Sequence, residues 1–138
     1  MQKINTKLGG TNTKITKNSK VKFFSRPAMV VGLSMTHPDP GSDKPTIVSA
    51  VFSCDSAVSK YVAEHRLQRS KFGIVSDLKN IMVAGLMQFY RSCRLKPEKI
   101  VVYRGGGSEG ELQQIAKYEV AAIKEAFQQL SSGQNTYR

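Results

Sequence analysis

The sequence predicts an α/β fold with its elements in the order βββαβα, a mixed sheet with helices packed on it. Three observations lead there. The apolar run inside Pro27–Pro38 (Pro-Ala-Met-Val-Val-Gly-Leu-Ser-Met-Thr-His-Pro) is short and bounded by prolines, so it reads as a strand buried on both faces. After residue 70 the apolar spacing changes to three and four, the period of a helix. A second short run, Lys99–Arg104, is cut off by three glycines and followed by another helical pattern.

Lys3 to Leu8 forms a short amphipathic piece that Gly9-Gly10 ends, because glycine accepts the left-handed conformation that closes a helix. A polar arm follows to residue 26. The first strand covers about residues 28–35 and ends at the small polar Ser34, before Thr36-His37-Pro38. Pro38, Pro40, Gly41 and Pro45 mark a loop. Thr46 to Cys54 is β-branched and apolar, a second strand; Asp55 to Ser59 turns, and Lys60 to Gln68 alternates as a third. Short connections imply an antiparallel meander.

Ile74, Leu78, Ile81, Met82, Leu86, Phe89, Tyr90 and Cys93 then share one face of a helix, with Ser70 or Ser76 as its cap and Pro97 beyond its end. A helical connection between strands three and four allows parallel pairing. Ser108 followed by Glu111 has the spacing of a capping box. Leu112, Ile115, Ala116, Ile123, Phe127 and Leu130 line the last helix, which stops near Ser131-Ser132-Gly133. This order is the front half of a ribonuclease-H-like fold, and the expectation is a piece of something larger.

Composition narrows the function. The 138 residues suit one domain, and 40% hydrophobic residues exclude wholesale disorder. No apolar run approaches the roughly 20 residues that span a bilayer, and no secretory leader is visible, so a cytoplasmic or nuclear location and no membrane partner are expected. Cys54 and Cys93 lack metal-ligand spacing and read as free thiols; no cofactor or metal is expected. Net charge is +11, of which residues 1–26, with six lysines, one arginine and no acid, carry +7. A basic arm on a nearly balanced body, residues 27–138, suits a polyanion such as nucleic acid.

Particular stretches carry a family resemblance. Lys3-Ile4-Asn5-Thr6-Lys7-Leu8-Gly9-Gly10, Thr36-His37-Pro38, Leu86-Met87-Gln88-Phe89-Tyr90-Arg91-Ser92, Leu95-Lys96-Pro97, Tyr103-Arg104-Gly105-Gly106-Gly107-Ser108-Glu109-Gly110 and Tyr118 to Ile123 occur in register. Together they resemble eukaryotic Argonaute proteins, from the end of the guide-phosphate-binding (MID) domain into the front half of the PIWI domain. On that resemblance residues 1–26 correspond to the MID/PIWI junction and residues 27–138 to the N-terminal half of a ribonuclease-H-like PIWI domain. The remainder of an Argonaute chain is then an expected partner.

The resemblance implies a nuclease that holds a guide RNA and cleaves a paired target with two divalent metals. Such metals need anionic oxygen ligands. The acids of the family fall at Ser34, at Gly105 in the Tyr-Arg-Asp-Gly-type turn, and at Gly73. A hydroxyl is a weak neutral ligand and glycine supplies none, so the expectation is a non-enzyme with a degenerate site. Asp39, Asp43 and Asp55 fall in loops or turns, and Glu109 and Glu111 suit the first turn of a helix.

Binding is expected instead. Lys3 and Lys7 match the family lysines that contact the guide 5′-phosphate, and their spacing of four places them on one helical face. Arg66, Arg69 and Lys71 are candidate nucleic-acid contacts. Some family members accept tryptophans of Gly-Trp-rich effector proteins; the matching positions include Phe24, Pro27, Leu86, Phe89, Tyr90, Lys96 and Leu130, with Leu95 where an aromatic is usual. The function expected is guide-RNA and target-RNA binding by a cleavage-incompetent Argonaute in gene silencing. Alternatives are a metal-dependent RNA-guided endoribonuclease and an effector-interaction module that needs no RNA.

Overall fold

Among the described residues, four strands form one sheet in the order β3-β2-β1-β4, with β1 spanning Ala28–Thr36, β2 Thr46–Ser53, β3 Tyr61–Gln68 and β4 Lys99–Arg104. The computed structural model describes residues 1–14, 22–69 and 73–132. Helix α1 covers Gln2–Lys7, α2 Leu78–Cys93 and α3 Glu109–Ser132, and a single 3-10 turn spans Lys22–Ser25. The expected order βββαβα therefore holds from β1 to α3. The pairs β1/β2 and β2/β3 are antiparallel. Strand β4 runs parallel to β1, its hydrogen-bonded neighbour, so the α2 crossover carries the chain past two strands to the far edge.

Alternation of side chains decides the layers. Met29, Val31 and Leu33 of β1 and Val48, Ala50 and Phe52 of β2 point to the same face. There they meet Leu78, Ile81, Met82, Leu86 and Phe89 of α2 with Ala126 and Leu130 of α3, forming one core. Gly85 is required in α2, since a Cβ there would lie 2.4 Å from the buried Phe52 ring. Where β1/β2 pairing ends, the Val30 N–H donates to the buried Ser53 hydroxyl at 2.9 Å.

The opposite face departs from expectation. Both helices pack on one side, so β1 is covered on one face rather than two; Val30 and Gly32 are only half-buried and Ser34 is exposed. Helix α2 also starts later than its apolar pattern. The Gln68 side chain donates to the Ile74 carbonyl at 3.0 Å and accepts from the Ser76 N–H at 3.1 Å and the Ser76 hydroxyl at 3.2 Å. These bonds hold residues 74–76 against the end of β3, and Asp77 takes the capping position expected of Ser76. The other expected cap, Ser70, lies outside the described residues, as does Gly133.

The far end of α2 closes on Arg94, whose backbone is left-handed (φ 55°) and whose N–H donates to the Tyr90 carbonyl at 2.7 Å. At the start of α3 the Glu111 carboxylate reaches back to the Ser108 N–H at 2.9 Å and the Ser108 hydroxyl at 2.8 Å, the expected capping box with the hydroxyl turned to the carboxylate. The buried line of α3 is Ile115, Glu119, Ala126 and Leu130, while Ile123 and Phe127 are half-buried. Leu112 and Ala116, expected on that line, are exposed; the buried row there runs through Ile115 and Glu119, the latter bonded to Arg104 and Val75. Among the described residues, no helix is long and apolar enough to cross a membrane.

Candidate nucleic-acid interface

Parallel pairing of β1 and β4 puts both carboxyl ends on one edge of the sheet. Leu33 pairs with Arg104, and the Gly105 N–H donates to the Leu33 carbonyl at 2.8 Å, so Gly105 leaves the end of β4 beside Ser34, which is still paired with Ser49 of β2. A Cβ on Gly105 would stand 4.0 Å from the Ser34 hydroxyl. Gly73 joins them through the Arg104 guanidinium, which donates to the Gly73 carbonyl at 2.6 Å and also to the Gly105 carbonyl. A Cβ on Gly73 would lie 3.4 Å from Glu111 Oε1. Gly73 and Gly105 border a cavity of about 400 Å³ whose walls include Met35, His37, Asp39, Arg104 and Glu111, and Ser34 adjoins it only through Gly105.

The guanidinium is fixed from behind. Arg104 Nε donates to both carboxylate oxygens of Glu119, at 3.1 and 3.2 Å, and Glu119 Oε1 also accepts from the Val75 N–H at 3.1 Å. Glu119 is buried on the α3 face. Sequence reasoning passed over this pair; the available signal was an acid placed in the middle of an apolar helical stripe. His37 is hydrogen-bonded through Nδ1 to the Thr46 hydroxyl at 2.9 Å, which anchors the loop after β1. Hydrogen bonds from the Ser108 N–H, and then from its hydroxyl, hold the Glu111 carboxyl below the usual range. Arg104 and His37 act in the same direction.

A pair of divalent cations does not fit this donor set. The resemblance places its acids at Ser34, Gly73 and Gly105, which offer one neutral hydroxyl and no carboxylate. The guanidinium that bridges Gly73 and Gly105 is itself cationic. Among the described residues, no three His, Cys, Asp or Glu side chains converge on a common point.

The candidate phosphate contacts lie at the other end of the chain. Lys3 and Lys7 are exposed on α1, which buries none of its residues. The segment after the helix folds back over it. Asn12 Nδ2 donates to the Gln2 carbonyl at 2.9 Å and to the Thr6 hydroxyl at 2.7 Å, and Asn5 Nδ2 donates to Asn12 Oδ1 at 2.6 Å. Gly9 makes the return possible with φ +83°, and a Cβ on Gly10 would collide with the Asn5 side chain at 2.0 Å. Gln2, Lys3, Thr6, Lys7 and Asn12 border an open depression of about 390 Å³.

The other predicted contacts separate. Arg66 pairs with Glu64 at 2.9 Å and Asp77 at 3.6 Å, tying the edge strand to the start of α2; these half-exposed pairs are worth little individually. Arg69 is exposed, and Lys71 lies outside the described residues. Phe89 and Leu130, assigned to a tryptophan pocket, are core residues beside Leu86 and present no wall to solvent. Phe24, Pro27 and Tyr90 are half-buried and Lys96 is exposed.

A family model, Piwi domain, matches residues 1–137. The chain is similar to Kluyveromyces polysporus Argonaute crystallised with a guide RNA, at 26% identity and a TM-score of 0.82, covering 99% of this chain and 16% of that one. It is similar to the C-terminal lobe of a budding yeast Argonaute at 26% identity and a TM-score of 0.82, covering 99% and 27%. For the MID-PIWI domains of N. crassa QDE-2 Argonaute the identity is 24% and the TM-score 0.77, covering 98% and 39%. The chain spans well under half the length of each. The mixed sheet with its helices is the ribonuclease-H-like fold of those PIWI domains.

Proposed function

The chain belongs to the Piwi domain family, and on that premise we propose that it takes part in holding a small guide RNA for gene silencing without cutting the paired target. One observation carries the reading: Ser34, Gly73 and Gly105, where the resemblance puts the acids, offer no carboxylate, and the Arg104 guanidinium bridges the two glycine carbonyls, while Glu111 is engaged by Ser108 and Glu119 by Arg104. Two-metal cleavage of a phosphodiester needs anionic oxygens to hold the cations. Retention of RNA needs only positive charge and shape, and it weakens steeply with salt.

Lys3 and Lys7 supply that charge on one exposed side of α1, and the fold-back of Asn12 holds Gln2 and Thr6 beside them. The guide RNA named for the similar yeast Argonaute supports the same class of ligand. The test compares 5′-phosphorylated with 5′-hydroxyl RNA on the intact protein, with and without Lys3→Glu plus Lys7→Glu, and follows a paired target in Mg²⁺ or Mn²⁺. The reading expects preference for the phosphorylated RNA, its loss in the double variant, and an uncut target. Target cleavage would favour the nuclease alternative, and indifference to RNA would favour a protein-interaction module.

A further inference from the structure

Cys54 and Cys93 are 39 residues apart in sequence and adjacent in the fold. Cys54 follows the last residue of β2, and Cys93 is the last residue of α2. The Cys93 thiol donates to the Cys54 carbonyl across 3.2 Å, and both side chains are half-buried at the surface. We infer that the two form a reversible oxidation site, in which a peroxide converts the thiol pair into a disulfide that clasps the end of β2 to the end of α2. The Cys93 sulfur already lies against the Cys54 backbone, and closure brings the Cys54 sulfur round to it.

The chemistry balances without further reagents. One sulfur takes an oxygen from the peroxide, giving a sulfenic acid and releasing water. The second sulfur attacks the first, the S–O bond breaks, and a second water leaves with the remaining thiol proton. Two thiols and one peroxide thus become one disulfide and two waters. Burial, followed by the Asp55 carboxylate, raises both thiols above their ordinary range, and Cys54 raises Cys93 further. The resting pair is therefore protonated, as the Cys93 hydrogen bond requires, and the clasp closes under sustained oxidant rather than a brief pulse.

What the clasp would hold is the β2–β3 turn. The Asp55 carboxylate accepts from the Ser59 N–H at 2.8 Å, the Ser59 hydroxyl at 2.7 Å and the Lys60 N–H at 2.9 Å, and the Cys54 N–H donates to the Lys60 carbonyl at 2.9 Å. Ala57, Val58 and Ser59 form one wall of a cavity of about 250 Å³ whose other wall is Thr6 and Gly10 to Thr13. Oxidation would fix the turn that faces the segment folded back on α1. The disulfide stands apart from the guide-RNA reading, and failure of either leaves the other intact.

The experiment treats the reduced chain with hydrogen peroxide, quenches with catalase and counts thiols after denaturation. Expected are paired loss of both thiols, an intramolecular Cys54–Cys93 peptide in an unreduced digest, and full recovery with a phosphine reductant. Amide exchange at Cys54, Ser59 and Lys60 should slow about tenfold or more on oxidation. Cys93→Ser should leave Cys54 to accumulate as a dimedone-reactive sulfenic acid. Independent loss of the two thiols, linkage only between chains, or two free thiols after oxidation of a small dithiol in the same tube would each overturn the inference.

Discussion

Arg104 and Glu119 meet through hydrogen bonds of 3.1 and 3.2 Å where β4 leaves the sheet, their side chains only 13% and 6% exposed. The pair joins α3 to β4 and, through the Val75 N–H and the Gly73 carbonyl, to the segment before α2. Removing one partner of such a pair leaves the other charged and poorly solvated, which is far costlier than never having built the pair. Glu119→Ala should therefore lower unfolding free energy by about 3 kcal/mol. Urea denaturation of the variant is the measurement. A loss below about 1 kcal/mol would mean that water reaches the guanidinium and replaces the carboxylate.

How much of this was legible in the sequence depends on whether the cause is periodic. Strand β4 was read with its observed bounds, Lys99–Arg104, because a β-branched run between Pro97 and three glycines has few alternatives. The nearness of Gly105 to Ser34 and to Gly73 followed from the family resemblance; the bare sequence put Ser34 and Gly105 at the ends of the first and fourth strands without pairing those strands, and had no route to Gly73. Gln68 shortened α2 through bonds spanning six and eight residues, which leave no periodic trace. Glu119 escaped notice because a stripe read for apolar residues skips the acid inside it. The open sheet face escaped notice because the run from Met29 to Leu33 is apolar at every position, although the helices cover only alternate ones.

Arg94 offers a second prediction. The helix ends at Cys93, where its apolar stripe ends and short of Pro97, and it closes on a left-handed arginine. An L-residue with a Cβ pays about 1 kcal/mol in that region and glycine does not. Arg94→Gly should raise stability by about 1 kcal/mol, less the extra entropy glycine brings to the unfolded chain. Arg94 is exposed, so no packing is lost. A thermal melt decides it, and a lowered midpoint would show that the side chain contributes more than its backbone costs.

Asp55 sets an acid limit on the β2–β3 turn. Desolvation pushes its carboxyl up, but hydrogen bonds from the Ser59 hydroxyl and from the Lys60 and Ser59 backbone outweigh this and bring it below its ordinary value. A carboxyl depressed by folding contributes stability that is complete above its unfolded pKa of about 3.9 and disappears as pH falls through the lower folded value. Stability measured by chemical denaturation should drop as pH is taken below about 4, and Asp55→Asn should flatten that limb while lowering the plateau near neutrality. Equal acid slopes in the two proteins would assign the limb to other carboxylates.

The uncovered face of the sheet makes the last prediction. Leu67 on β3 and Tyr103 on β4 are 69% and 67% exposed, and Ile47 and Val51 of β2 are 44% and 37% exposed between those strands. Apolar side chains that share one sheet face and remain in water favour association, and unpaired backbone groups on the two edge strands add to the tendency. The 138-residue chain should therefore associate as its concentration rises, despite its net charge of +11. Leu67→Lys with Tyr103→Lys should shift light-scattering mass toward the monomer while changing stability by no more than about 0.5 kcal/mol, because neither side chain supports the core. If both proteins stay monomeric across the accessible range, the charge outweighs the exposed apolar face. If both associate equally, the contact lies elsewhere on the molecule.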